Sequence, residues 1–186
     1  MENDIEKLKF PIGKYKAILE FNFSRTIQDI KTLESFANNL KDSVKGLDKT
    51  DFKKTYRDGG MNIAQIIHHY CDTHTYAFLR TKHTLLEDNP SVKMYEVSEF
   101  LTTPESNVLD VEDSLKVIEG IHAKWVSLLK TLSENDFNKT YYHSARDKNI
   151  ILHEHVGMYA WHTKHHLVHI GMAKESIKEK GKRSKQ

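Results

Sequence analysis

Twelve of the 186 residues are histidine, and imidazole is both the commonest transition-metal ligand and the side chain whose protonation changes near neutral pH. Their placement decides what they can do. Toward the C-terminus the chain reads Leu152-His153-Glu154-His155-Val156-Gly157-Met158-Tyr159-Ala160-Trp161-His162-Thr163-Lys164-His165-His166-Leu167-Val168-His169-Ile170. Steps of four and three from Ile151 pass through His155, Met158, His162, His165, His169 and Met172, so on a helix four histidines share one otherwise apolar stripe. Residues i and i+4 lie about 5–6 Å apart at Cβ, close enough for two imidazoles to reach one cation about 2.0–2.1 Å from each nitrogen. Two such pairs occur, His162/His166 and His165/His169. Burying imidazoles without partners costs about 1–3 kcal/mol each, so an inward row needs a ligand or a network. A third donor must come from elsewhere, and His68, His69, His74 and His122 all stand on other helical stretches. Angular position alone does not choose among them.

The elements that carry these residues read as helices. Ile27, Ile30, Leu33, Ala37, Leu40, Val44 and Leu47 recur at steps of three and four, with Ser24 or Thr26 available as the cap. A second helix is predicted from Asn62, whose spacing to Gln65 suits a capping box, to about Asp88, where Pro90 follows. Val111, Leu115, Ile118, His122, Trp125, Leu129 and Leu132 draw the seam of a third, with Asp110 as its cap. The fourth starts near Asn149 or Ile150 and ends at about Glu175. No alternating pattern of useful length predicts a strand. Long helices with apolar seams bury them most readily against each other, so the expected fold is all-α, a four-helix bundle. It forms one domain over residues 1–177, with an extended N-terminal segment. Residues 178–186 hold five basic side chains and one acid and are expected to be a disordered basic tail.

Composition narrows the class. Twenty-eight Lys and Arg face 26 Asp and Glu, a balance that argues against a nucleic-acid or membrane-surface partner. The lone Cys71 removes a disulfide framework and any multi-cysteine zinc site, and with the charged N-terminal residues it makes cytoplasm the expected location.

Four segments together resemble the YfiT-like branch of the DinB superfamily: Phe10-Pro11-Ile12-Gly13-Lys14-Tyr15, Tyr56-Arg57-Asp58-Gly59-Gly60, the run Gln65 to His74 that contains His68-His69 and Asp72, and Tyr159 to His169. The resemblance implies a bundle of DinB type that binds one divalent metal per chain, Zn²⁺ or Ni²⁺. Carried over by position, its ligands are His69, His165 and His169. It also implies a homodimer. Asp72, Glu154, His162 and His166 are the candidates to orient the ligands, because a ligating histidine gives its second N–H to a carboxylate, carbonyl or water. Tyr56 and Arg57 in the glycine-rich loop are candidates for contacting a small-molecule substrate. The expected activity is that of a metal-dependent hydrolase or a thiol S-transferase using a bacillithiol-like low-molecular-weight thiol. The alternative is a non-catalytic metal-binding bundle for storage or sensing.

Overall fold

The computed structural model describes residues 2–92 and 96–183 in their backbone, with side-chain surroundings for 4–92 and 96–175. In chain order the elements are α1 (Glu2–Lys9), α2 (Phe23–Val44), α3 (Ile63–Leu86), β1 (Ser91–Val92), α4 (Val97–Phe100), α5 (Glu112–Leu129), α6 (Glu134–Phe137), β2 (Thr140–His143), β3 (Lys148–Ile151) and α7 (Leu152–Arg183). The four long helices are those expected. Each packs on two others: α2 on α5 and α7, α3 on α5 and α7. Consecutive α2 and α3 therefore stand diagonally across the bundle, an arrangement that connection lengths alone leave open.

Local chemistry explains where the helices start. The Asn62 side chain accepts from the Gln65 N–H while the Gln65 side chain accepts from the Asn62 N–H, the capping box expected at α3. At α2 the cap is Asn22, which accepts from the Arg25 N–H. Ser24 and Thr26, the expected caps, lie inside the first turn, and the Thr26 hydroxyl donates back to the Asn22 carbonyl. Asp110 stands one residue before the α5 cap position, Val111, and takes the Glu112 N–H at 3.1 Å. The N-terminal segment is not wholly extended, since residues 2–9 form a helix. Nor does the chain depart from α7 at residue 178. The backbone stays helical through Arg183, and residues 184–186 lie outside the described residues.

The core fills the bundle in two blocks. Phe36, Leu40, Ile63, Ile66, Ile67, Tyr70, Ile118 and Ile170 form one, and Leu33, Trp125, Leu129, Leu152, Val156 and Tyr159 the other. Each fully buried aliphatic side chain stabilises the fold by about 1.5–3 kcal/mol relative to exposure. A three-stranded sheet, absent from the helical pattern, caps one end in the order β1-β2-β3, with β1 parallel and β3 antiparallel to β2. Its hairpin turns through Asp147 in the left-handed region, φ 46°. The Leu152 N–H then bonds to the Lys139 carbonyl at 2.9 Å, which fixes where α7 begins and so which of its faces turns inward.

Candidate metal centre

The inward face of α7 brings His162, His165, His166 and His169 together, and the neighbouring helix α3 adds His69. Ring centroids lie 4.4 Å apart for His165–His169, 4.8 Å for His165–His166, 4.6 Å for His162–His166 and 5.0 Å for His69–His166. Among the described residues, two sets of three can hold an ion with all donor atoms within 4.8 Å: His69, His162 and His166, and His165, His166 and His169. The trio His69, His165 and His169 that the resemblance implies is neither of these sets: His69 groups with His162 and His166, and His165 and His169 group with His166. Every member is histidine.

Of the four histidines left open as the partner from another helix, only His69 enters these sets. His68 is turned the other way, with Nδ1 2.8 Å from the Ser114 hydroxyl and Nε2 3.1 Å from the Val108 carbonyl. His74 and His122 sit deeper, joined to each other at 2.7 Å.

The outer contacts of the cluster differ from one imidazole to the next. His169 donates from Nε2 to the Leu8 carbonyl at 3.1 Å, which leaves Nδ1 as its lone pair. His69 holds Nδ1 3.2 Å from the Thr73 hydroxyl, a group able to give or take a proton. His165 keeps Nδ1 buried without a hydrogen-bond partner. Such an atom costs about 1–3 kcal/mol unless something fills its lone pair. Burial pushes His69, His165 and His169 each down to about 4, helped at His69 and His169 by the neighbouring His165. Burial, and then neighbouring imidazoles, hold His162 and His166 well below the usual range. At neutral pH all five are uncharged, the form that binds metal.

Aromatic rings wall the cluster. Trp161 stacks on His165 at 4.5 Å between centroids, with Phe10 at 5.9 Å from the same imidazole. Tyr56 lies flat on His169, 3.8 Å away and tilted by 12°. This stacking depends on Gly60, where a Cβ would meet the Tyr56 ring at 3.0 Å. Arg57 follows, its Nη1 donating to the Asp58 carbonyl at 2.7 Å and its Nε buried without a partner. The loop thus brings Tyr56 against the cluster and Arg57 beside Tyr56. The Leu8 carbonyl and the Phe10 ring had no signal in residue spacing.

Two candidate orienting residues fall elsewhere. Glu154 is buried, but it accepts from Lys148 at 3.4 Å and lies eleven residues before His165, about 16 Å along the helix axis. Asp72 is raised by burial and by Glu105, and lowered by His68, so its surroundings are the α3–α5 side of the bundle. His162 and His166 do touch the cluster.

Comparison with known proteins gives a consistent family. A sequence profile of the DinB superfamily matches residues 32–170. The chain is 33% identical over 166 residues to a Geobacillus kaustophilus protein named "Putative metal-dependent hydrolase", covering 89% of this chain and 93% of that one. It is 31% identical over 163 residues to the Bacillus subtilis protein YfiT, named likewise, covering 88% and 92%. The solved structure of Bacillus subtilis YfiT, titled a probable metal-dependent hydrolase with an unusual four-helix bundle topology, superposes with a TM-score of 0.89 at 30% identity, over 92% of this chain and 98% of that one.

Proposed function

The chain belongs to the DinB superfamily, and from that premise we propose that it is a metal-dependent enzyme, a hydrolase or a thiol S-transferase, with His69, His165 and His169 as ligands of one divalent ion. The observation that carries this reading is a buried cluster built of neutral imidazoles alone, in which His165 keeps a buried nitrogen without a hydrogen-bond partner. Two of the three proposed ligands have the outer arrangement a metal-bound histidine needs. His169 already gives its second N–H to a carbonyl, and His69 has a hydroxyl ready for the same role. An all-nitrogen set suits Zn²⁺ or Ni²⁺. When bound, such an ion keeps its charge and an open position, and there it polarises a carbonyl or lowers the pKa of a water or thiol.

The chain's own residues supply the rest. Trp161, Phe10 and Tyr56 exclude water from the imidazoles, so charges that develop there are poorly screened. The Arg57 guanidinium beside Tyr56, 5.3 Å from its ring centroid, provides a cation for an anionic substrate group. Homodimer assembly and a cytoplasmic location are further parts of this proposal, supported by the resemblance and by residue usage respectively. Protein loaded with Zn²⁺ or Ni²⁺ is expected to conjugate a small thiol to an electrophile, or to hydrolyse an amide-like bond, and to stop when a chelator is added. Inertness toward a broad panel of both, with metal bound, would leave a storage or sensing bundle.

A further inference from the structure

The imidazole cluster lies almost wholly beneath the surface. His69, His165, His166 and His169 are 6, 6, 7 and 1% exposed, and His162 is half-buried. A hydrated ion or a substrate needs more room than this, so one wall of the cluster must move. The walls differ in how they are tied down. α3 and α7 are joined in the core by the Tyr70 hydroxyl, which donates to the Thr163 carbonyl at 2.6 Å. The loop that carries Tyr56 is laced to the start of α3, with the Ile63 N–H on the Lys54 carbonyl at 3.1 Å, the Ala64 N–H on the Phe52 carbonyl at 3.3 Å and a bridge between Thr55 and Asn62.

The wall formed by the segment after α1 has no such lacing. Residues 10–22 form neither helix nor strand, and among the described residues no backbone-to-backbone bond joins residues 10–21 to the bundle. Its own bonds are local: the Phe10 N–H meets the Glu6 carbonyl and the Gly13 N–H the Phe10 carbonyl, each at 2.9 Å, the second closing a turn in which Gly13 takes φ 77°. Side chains fasten it to the cluster instead. The Leu8 carbonyl takes the His169 N–H, and the Phe10 ring faces His165. Tyr15 lies 6.0 Å from Trp161 between centroids, and its hydroxyl donates to the Glu154 carbonyl at 3.0 Å. Little apolar burial adds to these contacts, because Leu8, Ile12, Ile18 and Leu19 are all exposed. The closed packing also leaves Trp161 Nε1 and His165 Nδ1 buried without hydrogen-bond partners. Water reaching them when the segment lifts offsets part of the cost of opening.

We propose that residues 8–15 are a lid on the imidazole cluster, latched by the Tyr15 hydroxyl on the Glu154 carbonyl, and that an ion or a substrate enters only while this lid is lifted. The lid follows from the packing alone. Its part in admitting an ion rests on the reading above that a cation occupies the cluster. Lifting breaks the contact between Leu8 and His169 and uncovers Trp161 and His165, while the four long helices stay in place.

Trp161 reports the lid without any metal. Trp125 is fully buried, so acrylamide quenching of tryptophan fluorescence in metal-free, full-length protein follows Trp161. Tyr15→Phe deletes the latch and keeps the ring; losing that one hydrogen bond should raise the open population, and the quenching with it, about 3–10-fold. Phe10→Ala, which withdraws the ring from His165, should act in the same direction. Asn62→Ala weakens the fold at the α3 cap and should quench like the parent. Parent-like quenching in Tyr15→Phe and Phe10→Ala, or an equal rise in Asn62→Ala, overturns the lid. Zn²⁺ then tests the gate: Tyr15→Phe should speed both its uptake and its release to a chelator by the same factor of about 3–10, with Kd held within about twofold. Faster release alone, with a weaker Kd, would make Tyr15 a mere support of the cluster, and unchanged rates would place the entry elsewhere; either overturns the gate. Protein that takes up no Zn²⁺ refutes the metal reading and the gate together, and the quenching still decides the lid.

Discussion

Metal-free protein should lose stability steeply between pH 7 and pH 5, and His155→Gln should remove a defined part of that loss. His155 is fully buried, donates from Nε2 to the Ala77 carbonyl at 3.1 Å and accepts from the Tyr141 hydroxyl at 2.9 Å. Burial, with the Arg80 charge nearby, pushes it down to about 3 from its ordinary value near 6.5. The folded state therefore binds no proton there in a range where the unfolded chain does. Stability from this group is complete above pH 6.5 and is lost as pH falls toward about 3. At about 1.4 kcal/mol per pH unit once the unfolded imidazole is titrating, the loss from pH 7 to 5 is about 2 kcal/mol. His122, pushed down to about 4 by burial, adds a similar amount, and the cluster adds more. Against a total of about 5–15 kcal/mol for a domain, this is large. Urea unfolding in chelator at both pH values measures it. His155→Gln should lose about 2 kcal/mol less than the parent between the two pH values, whatever its stability at pH 7. Equal losses in parent and variant would refute the argument that burial holds His155 neutral.

Other outcomes follow from single contacts. Asn62→Ala removes the α3 capping box and should cost about 1 kcal/mol in urea unfolding, with the metal site unaffected. Gly60→Ala should push Tyr56 off His169, seen as a change in near-ultraviolet circular dichroism and a weaker metal Kd, because a Cβ there meets the ring at 3.0 Å. Tyr70→Phe deletes the 2.6 Å bond to the Thr163 carbonyl inside the core and should cost about 1 kcal/mol. Metal at 100 times its Kd should stabilise the parent by about 2.7 kcal/mol, read as a rise in Tm that chelator reverses.

Much of this architecture is legible in residue spacing, and the exceptions have physical causes. The α3 start was readable because Asn62 and Gln65 act on each other within four residues. The α2 cap was not, since Asn22, Ser24 and Thr26 are all competent caps and only the path of the preceding chain selects among them. Strands of two to four residues are too short for alternation to register. The α7 stripe announced the histidine cluster. Its closing elements did not show, because the His169 partner is a backbone carbonyl at Leu8, which any residue type could supply. Likewise the inward position of His122 follows from its seam, whereas its bond to Leu33 depends on how α2 and α5 slide against each other.

The central claim is that imidazoles from α3 and α7 hold one divalent ion, and metal content tests it most directly. Protein purified without added metal should carry about one Zn²⁺ or Ni²⁺ per chain by elemental analysis, and His165→Ala, kept folded by circular dichroism, should lose most of it. Equal metal in parent and variant would remove His165 from the site, and a folded parent that stays metal-free under Zn²⁺ titration would contradict the account as a whole.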